Sequence, residues 1–328
     1  MIVISAIYNE KKNAGPKAPE DIDRILGNKY NAKSIVLVRD KFFKIKICFQ
    51  MLKLIFKRDI IVIQFPLINL PIIYNLLNKK RVIVLIHDIN GLRFDNKSIL
   101  LKEIKILKKF KYVIAHNKSM KEYLIKKGLK DENIYTIDVF DYLATGNIND
   151  NEKDKNTRKV LYTGNLNKNK SPFIYQLDDN KINFDMNLYG IGIEKDISKK
   201  IKYKGSFEPN EINDIEGSLG LVWDGDIESF EQNNIYKSYT KYNNPHKFSC
   251  YLAMGIPIIA WKNAAISDFI KKNNVGYLID NIYDINNIDL SDYNEKRKNA
   301  IKIGRKLRGG KYTLDVFDKI VKKIVGDR

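Results

Sequence analysis

The chain has 328 residues, of which 44% are hydrophobic and 30% are charged. This length is too great for one comfortable hydrophobic core and predicts two domains of roughly 150 residues each. Polar residues and prolines interrupt the most apolar stretch, residues 59–77, so it lacks the run of about 20 mostly apolar residues of a membrane span. The first residues have none of the basic and apolar regions of a signal peptide, and we expect a cytoplasmic protein.

The formal net charge of +19 is concentrated in the first 150 residues, which hold 28 basic and 15 acidic side chains, a net of +13. The remainder holds 30 against 24, a net of +6. Such an excess indicates an anionic partner: nucleic acid, a phospholipid surface or a phosphorylated substrate. Lysine far outnumbers arginine, a bias that an AT-rich genome also favours. The two cysteines and three histidines are widely spaced, which predicts buried thiols in a reducing compartment and no zinc site.

Short runs rich in isoleucine and valine alternate with longer helix-like stretches throughout the chain. In the first half we predict strands at residues 2–7, 34–39, 60–65, 81–87, 112–116 and 134–137, with helices at 19–26, 42–57, 70–78, 97–109 and 119–127. In the second half we predict strands at 159–162, 183–189, 201–205, 219–223, 257–261 and 276–279, with helices at 245–254, 265–273, 293–307 and 313–325. Continuous β-branched runs separated by helices are typical of parallel sheets covered on both faces.

A polar stretch at residues 141–158 breaks this pattern and is interpreted as a linker. The predicted organisation is a Rossmann-like domain at 1–150, a second Rossmann-like domain at 151–310, and a C-terminal helix at 311–328 that packs back on the first domain. Two such α/β domains facing a central cleft bind ligands at the carboxyl ends of their strands.

Residues 42–58 mix ten apolar side chains with five basic ones and contain no acidic residue. This composition suits a helix that rests on an anionic membrane. It equally suits an ordinary helix that covers a sheet and exposes a basic edge.

Residues 242–261 contain the most informative motif, Tyr-Asn-Asn-Pro-His-Lys-Phe-Ser-Cys-Tyr-Leu-Ala-Met-Gly-Ile-Pro-Ile-Ile-Ala-Trp. Pro245 suits a helix start and Gly255 suits a helix end. The unpaired N–H groups and positive dipole end of such a helix favour a phosphate. Lys247 in the first turn opposes the dipole, which makes sense if an anion binds beside it; a generic helix start is the alternative.

The pattern Asn-x-Pro-His-Lys-x-Ser-x-Tyr-Leu-Ala-x-Gly-x-Pro-x-Ile resembles the nucleotide-binding segment of a family of bacterial GT-B glycosyltransferases. That family contains β-1,6-galactofuranosyltransferases and the streptococcal glucosyltransferases that modify serine-rich adhesins. Further similarities, in the same order along the chain, are Asn-Ala-Gly-Pro-Lys-Ala at 13–18, Ile-His-Asp-Ile at 86–89 followed by Arg93, Tyr-Thr-Gly-Asn-Leu at 162–166, and Val-Gly-Tyr at 275–277. The N-terminal motif is most similar to the galactofuranosyltransferase branch.

This resemblance implies a UDP-sugar donor held mainly by the second domain. The matching positions are Gly164, Asn165, Asn244, Pro245, His246, Lys247 and Tyr251. Enzymes of this family generally stabilise the departing UDP with cations and helix dipoles, so the resemblance implies no metal and no cofactor. Lys247 is then expected to neutralise the diphosphate.

Three loops are further candidates for ligand contact. Gly15 and Lys17 are assigned to the loop after the first strand, where Lys17 either touches phosphate or is a solvated lysine. Gly-Ile-Gly at 190–192 either lets a backbone approach the nucleotide or forms a plain turn. Asp224, in the Trp-Asp-Gly-Asp segment after a strand, is placed near the uracil or ribose, with a simple turn as the alternative.

An inverting transfer requires a base that takes the proton of the acceptor hydroxyl. His87 and Asp88 follow a buried strand of the first half, and we assign Asp88 as the base with His87 as its orienter or alternative. His116 also ends a strand and is expected to be structural.

The sequence thus predicts a hexosyltransferase that moves galactofuranose, galactose or glucose from a UDP-sugar to a glycan acceptor of a surface polysaccharide, capsule or glycoprotein. An acceptor on undecaprenyl diphosphate and peripheral contact with an anionic membrane account for the basic, apolar segment at 42–58. A non-catalytic sugar-nucleotide-binding subunit and a nucleic-acid-binding protein are the alternatives, and a homo-oligomer remains open. No helix-turn-helix and no aromatic–basic strand face supports nucleic-acid binding.

Overall fold

The computed structural model describes residues 1–7, 16–38, 59–67, 77, 81–146, 148, 158–194, 197–212, 215–227 and 238–326. The chain forms two compact units, one of Met1–Val139 with Lys311–Arg328 and one of Phe140–Gly310. Each unit contains a six-stranded sheet in which every recorded pairing is parallel. The predicted helices at 42–57 and 70–78, Cys48 and the site candidate Gly15 lie outside the described residues.

The first unit builds its sheet in the order β2-β1-β3-β4-β5-β6. Its strands are β1 (Ile2–Ile7), β2 (Lys33–Val38), β3 (Ile61–Phe65), β4 (Val82–Ile86), β5 (Tyr112–Ala115) and β6 (Ile134–Thr136). Its helices before residue 139 include α1 (Lys17–Tyr30), α2 (Asn90–Arg93), α3 (Lys97–Leu107) and α4 (Lys118–Lys126). Strands β3, β4 and β5 are buried at every position, as expected of a parallel sheet covered on both faces.

The second unit has the strand order β12-β11-β10-β7-β8-β9. Its strands are β7 (Lys159–Asn165), β8 (Asp185–Ile191), β9 (Ile201–Tyr203), β10 (Leu219–Val222), β11 (Ile258–Trp261) and β12 (Gly276–Ile279). Its helices include α5 (Phe173–Gln176), α6 (His246–Ala253), α7 (Ser267–Asn273) and α8 (Tyr293–Arg308). Counted from β7 this is the order 3-2-1-4-5-6 of dinucleotide-binding domains, whose topological switch point lies between β7 and β10.

The last helix, α9 (Lys311–Gly326), returns to the first unit. It packs against α1, where the Tyr30 hydroxyl donates a hydrogen bond to Asp318. At its other end Lys323 donates to the Tyr135 hydroxyl at 2.8 Å. The final helix therefore covers a sheet built from the opposite end of the sequence.

Local chemistry explains where the helices of the first unit begin. The Asn96 side chain accepts a hydrogen bond from the Ile99 amide at the start of α3, and Asn117 does the same for Met120 at α4. Asparagine caps of this kind satisfy N–H groups that the helix itself leaves without partners. The sequence patterns predicted both helices to within about two residues at each end, an error typical of helix boundaries.

The segment predicted as a polar linker begins inside the second unit. Phe140, Asp141 and Tyr142 are buried, and the Tyr142 amide donates to the Leu307 carbonyl at 3.3 Å. The Arg308 guanidinium donates to the Gly146 carbonyl at 2.7 Å. The prediction of a polar linker from residue 141 is wrong for this part, because buried side chains and hydrogen bonds to α8 make it part of the second unit.

His116, at the end of β5, is buried, and its Nε2 donates to the Ile86 carbonyl at 3.1 Å. Burial lowers the pKa of His116 to about 4, although hydrogen bonds to the Ile86 and His87 backbone oppose this shift. The imidazole is therefore a neutral structural group at neutral pH, as expected from the sequence.

No helix in the described part of the chain combines the length and apolarity needed to cross a membrane.

Acid should destabilise the first unit through His116. In the unfolded chain this imidazole titrates near pH 6.5, so between pH 6.5 and 4 the unfolded state binds more protons than the folded state. The stability that the neutral side chain contributes above pH 6.5 is lost as the pH falls, by up to about 3 kcal/mol. Urea unfolding of wild type and His116→Asn across this range should show a shallower pH dependence in the variant. Parallel curves would refute the assignment.

Candidate active site

The candidate donor site lies at the carboxyl edge of the second sheet, where β7 and β10 separate. Their pairing extends only to Leu161 opposite Gly220, while β7 continues to Asn165 beside β8. Neighbouring parallel strands that diverge at a switch point open a crevice outside their carboxyl ends. The loop after β10 and the start of α6 meet β7 at this crevice.

Tyr251 of α6 fixes the helix to the sheet. The ring is fully buried, and it lies so close to β10 that a Cβ on Gly220 would stand 2.4 Å from Tyr251 Cδ2. Its hydroxyl accepts a hydrogen bond from the Thr163 amide at 2.7 Å. Burial raises the pKa of Tyr251, so the phenol stays neutral. The resemblance assigned Tyr251 to nucleotide contact, but its burial makes it a residue that positions α6.

Lys247 reaches back from the first turn of α6 to the ends of β7 and β10. Its ammonium donates to Asp224 Oδ1 at 2.9 Å, to the Tyr162 hydroxyl at 2.9 Å and to the Trp223 carbonyl at 3.1 Å. An ammonium has three N–H donors, so these acceptors use all of them. The side chains of Lys247 and Asp224 are only 12% and 13% exposed.

The groups around Lys247 stabilise its protonated, positively charged form. Burial lowers the pKa of Lys247, but Asp224, Tyr162 and Tyr251 together raise it by more, so the net shift is upward. The sequence predicted a mobile cation that an incoming anion would neutralise. The structure instead places an internal carboxylate beside it, because Asp224 on the adjacent strand end satisfies the ammonium without a ligand.

Two glycines on neighbouring strands shape the floor of the crevice. Gly164 and Gly190 are paired in register at the ends of β7 and β8. A Cβ on Gly190 would lie 1.8 Å from the Gly164 carbonyl oxygen, so close strand packing requires glycine there. Gly164 has a φ of +130°, and a Cβ built on it would meet nothing within 4 Å. Its backbone therefore borders open space that a ligand can enter.

The remaining candidates of the motif surround the start of α6. Pro245 is the residue before the first helical one, and His246 packs its ring against Tyr142 with centroids 5.0 Å apart. Asn244 is buried, and Asn165 caps its own loop by accepting from the Asn167 amide at 2.9 Å. The first N–H groups of any α-helix lack partners within the helix, which leaves this end suited to a phosphate.

A small enclosed pocket adjoins this helix start. It has a volume of about 10 Å³, enough for one water molecule. Its lining comprises Val222, Trp223, Asp224, Thr240, Pro245, Trp261, Ala264 and Ile266. A nucleobase does not fit in this space, so the pocket supports the loop rather than holding a ligand.

The first unit carries a hydrogen-bonded chain that ends at His87. The Gln64 amide nitrogen donates to the Pro19 carbonyl at 3.1 Å and to Asp23 Oδ1 at 2.6 Å. A carbonyl can only accept, so the orientation of the Gln64 amide is settled and its oxygen faces His87 Nε2 at 2.6 Å. His87 Nε2 must therefore carry a proton, which makes Nδ1 the ring nitrogen with the lone pair.

The half-buried Asp23 is at the other end of this series of hydrogen bonds. Burial raises the pKa of Asp23, and hydrogen bonding, which includes the bond from Gln64, opposes the shift only in part. Gln64 and Asp23 are not among the residues predicted from sequence, because strand and helix periodicity does not show which polar side chains meet. A glutamine within a fully buried strand was the available signal.

Asp88 and Lys17 are each held by an ion pair. Asp88 Oδ2 lies 2.6 Å from the Arg93 guanidinium, with both side chains about 30% exposed. Lys17 was assigned to the loop after β1, but it is the first residue of α1 and is buried, with its ammonium 2.5 Å from Asp21. The placement of Lys17 in a solvated loop is wrong, because the i to i+4 pairing with Asp21 draws it into the helix.

Asp224 and Asp226 do not form a metal-binding pair. Asp224 is engaged by Lys247, and Asp226 accepts from the Gln176 side-chain amide at 2.8 Å. Within the described ranges no group of three or more His, Cys, Asp or Glu side chains is arranged to hold a metal ion.

Known proteins with similar sequences and structures cover nearly the whole chain. The N-terminal domain profile of the glucosyltransferase 3-like family matches residues 1–138, and its C-terminal domain profile matches residues 160–320. β-1,6-Galactofuranosyltransferase WbbI of Escherichia coli K12 is 32% identical over 276 residues, covering 80% of this chain and 79% of that protein. Glucosyltransferase 3 of Streptococcus gordonii is 21% identical over 256 residues, covering 75% and 72%.

The crystal structure of HepE from Anabaena in complex with UDP and glucose has a TM-score of 0.61 to this chain at 15% identity. The alignment covers 99% of this chain and 100% of HepE. At this identity the likeness shows the fold alone, and it confirms the predicted GT-B class of two α/β domains.

Removing the cation of the Lys247–Asp224 pair should destabilise the second unit. Lys247→Met leaves Asp224 without its counter-charge in a poorly hydrated site, and we expect a loss of about 3 kcal/mol in the free energy of unfolding. The double variant Lys247→Met, Asp224→Asn should recover part of that loss. Urea denaturation measures both.

The matched control is Lys262→Met, which breaks the solvent-exposed pair with Asp280. It should cost less than about 1 kcal/mol, as exposed pairs do. Equal small losses at both sites would show that Lys247 is not held by burial and pairing.

Proposed function

This chain belongs to the glucosyltransferase 3-like family, and we propose that it transfers a hexose from a UDP-sugar to a glycan acceptor. Its membership in a family of glycosyltransferases and its similarity to a galactofuranosyltransferase make it a hexosyltransferase. Galactofuranose, galactose and glucose are the candidate sugars, since small differences in hydroxyl contacts decide among them.

UDP as the donor nucleotide is supported by three features of the second unit. Its strand order is that of dinucleotide-binding domains. The open backbone at Gly164 and the first turn of α6 lie at the switch point of that sheet. The structural neighbour HepE was crystallised with UDP. The observation that carries the proposal is the hydrogen bond from the Thr163 amide to the Tyr251 hydroxyl. This bond holds α6 so that its first turn lies beside Gly164 of β7.

We propose that the diphosphate binds between Gly164 and the start of α6, with Asn165, Asn244, Pro245 and His246 around it. In this arrangement Lys247 gives up its bond to Asp224 and turns one N–H to a phosphate oxygen. The helix dipole and the ammonium then stabilise the negative charge that develops on UDP as it leaves. This account uses no metal ion and no cofactor.

The geometry of the first unit bears on which group is the base. The guanidinium of Arg93 favours the ionised form of Asp88 and so weakens it as a proton acceptor. His87 donates its Nε2 proton to Gln64, so in the neutral imidazole the lone pair that can take up a proton is on Nδ1. We therefore propose His87 as the base, with the Asp88–Arg93 pair beside it, and keep the original assignment of Asp88 as the alternative.

The acceptor is proposed from chemistry and relatives rather than from a bound molecule. A surface polysaccharide intermediate on undecaprenyl diphosphate and a glycoprotein both supply hydroxyl acceptors. A non-catalytic sugar-nucleotide-binding subunit remains the competing function, and it predicts UDP binding without transfer. The segment at 42–58, on which the sequence-based membrane assignment rested, lies outside the described residues.

UDP should raise the melting temperature of the protein. At a concentration about one hundred times its Kd, a ligand adds about 2.7 kcal/mol of stability. Uridine, which lacks the diphosphate, should give a much smaller shift at the same concentration. A comparable shift with a random oligonucleotide and none with UDP would overturn the proposal in favour of nucleic-acid binding.

Release of UDP from UDP-galactofuranose, UDP-galactose and UDP-glucose, with and without glycan acceptors, should identify the donor. We expect one donor to exceed the others by at least about tenfold, since one missing hydrogen bond in a polar site costs that much. UDP binding without turnover of any donor would favour the non-catalytic subunit.

The base assignment predicts different losses in two variants. His87→Gln should lower kcat by about a hundredfold or more, the usual contribution of a general base, while UDP affinity stays unchanged. Asp88→Asn should have a smaller effect. Asp95→Asn, an exposed carboxylate in the same stretch, is the control. Full turnover in His87→Gln with a large loss in Asp88→Asn would assign the base to Asp88.

A further inference from the structure

The first unit exposes an unusual set of large apolar side chains around α3. Leu101 is 71% exposed, Phe94 48%, Ile99 39% and Ile125 36%. Single exposed apolar residues are common on soluble proteins and need no explanation. Here four of them lie around α3: Leu101 and Ile99 on the helix itself, Phe94 on the turn that precedes it and Ile125 on α4. We refer to this region of the first unit, which is centred on Leu101, as the α3 surface.

An open groove of about 240 Å³ lies beside α3. It is lined by Leu100, Leu101, Ile104, Lys105, Lys108 and Lys127. Leu101, Lys105 and Lys108 follow one another at helical spacing, so they share one face of α3 and its last turn. Three apolar side chains and three lysines therefore line the groove together.

The lysines of this surface lack acidic partners. Within the described part of the chain, Lys105, Lys108 and Lys127 form no ion pair. Elsewhere on and after α4, Lys118, Lys121 and Lys130 are each paired with a carboxylate. The acidic residue of α3, Glu103, is buried and accepts hydrogen bonds from the Asn90 and Gly91 amides. The positive charge of the α3 surface is thus uncompensated.

We propose that the α3 surface docks on an anionic phospholipid bilayer. Apolar side chains interspersed with unpaired lysines match an interface in which the former enter the acyl boundary and the latter meet lipid phosphates. A nucleic acid would gain nothing from the exposed Leu101 and Ile99. Single-strand binding typically uses aromatic stacking, and the lining of the groove contains no aromatic ring.

The docked orientation has a consequence for the reaction. Phe94 is in contact with Arg93, whose guanidinium carbon lies 5.3 Å from the ring centroid, and Arg93 is paired with Asp88. A bilayer that Phe94 contacts therefore lies close to the strand end that carries His87 and Asp88. If the proposed function is correct, this places a membrane-anchored acceptor within reach; the docking itself does not depend on that function.

Sedimentation with vesicles tests the docking directly. Wild-type protein should bind vesicles of phosphatidylcholine containing roughly one third phosphatidylglycerol, and bind weakly to phosphatidylcholine alone. Lys105→Ser, Lys108→Ser, Lys127→Ser together should weaken binding to the anionic vesicles at least about tenfold, since each surface lysine contributes about fivefold. Leu101→Ser alone should weaken it by a similar order through the lost apolar insertion.

Matched controls separate this surface from net charge. Lys271→Ser, Lys272→Ser, Lys302→Ser removes the same charge from exposed positions of the second unit, and Val325→Ser removes an exposed apolar side chain of α9. Both should bind vesicles as wild type does. Equal losses in the control and test triples, or no binding by wild type, would overturn the proposal. UDP release with a soluble acceptor should be unchanged in every variant, so failure of the docking is distinguishable from failure of the enzymatic function.

Discussion

A buried hydrogen bond from the Thr163 amide to the Tyr251 hydroxyl, at 2.7 Å, helps to hold helix α6 against the second sheet. The bond lies beyond the last recorded residue pair between β7 and β10, where the separating strands leave backbone groups without ladder partners. Buried N–H groups need an acceptor, and here a side chain supplies it. Because Gly220 leaves room for the ring, the start of α6 is fixed beside Gly164, and the donor site depends on this arrangement.

The same helix start brings a cation into the fold together with its counter-ion. Lys247 and Asp224 neutralise each other, so the unliganded unit avoids an uncompensated buried charge. An anionic ligand must therefore compete with an internal carboxylate for the ammonium. Such competition lowers affinity for simple anions and favours a ligand that also engages the helix N–H groups.

The first unit uses its strand ends differently. Gln64 accepts a hydrogen bond from His87, which places a proton on His87 Nε2, and Arg93 forms an ion pair with Asp88. On the same unit, the turn after Arg93 leads into α3, whose exposed leucine and unpaired lysines face solvent. Proton transfer and membrane contact are thus proposed for adjacent stretches of one unit, whereas nucleotide chemistry is proposed for the other.

Hydrophobic periodicity in the sequence determined nearly every described strand and helix, because parallel β-strands need continuous apolar runs and helices need apolar faces. Spaced motifs around Lys247 and Gly164 determined the family. The tertiary structure alone decided that Asp224 compensates Lys247, that Tyr251 is buried, that Lys17 lies in α1 paired with Asp21, and that Gln64 orients His87. Each of these depends on which side chains of distant or neighbouring elements meet, and on how far each is buried, which residue type and spacing do not specify.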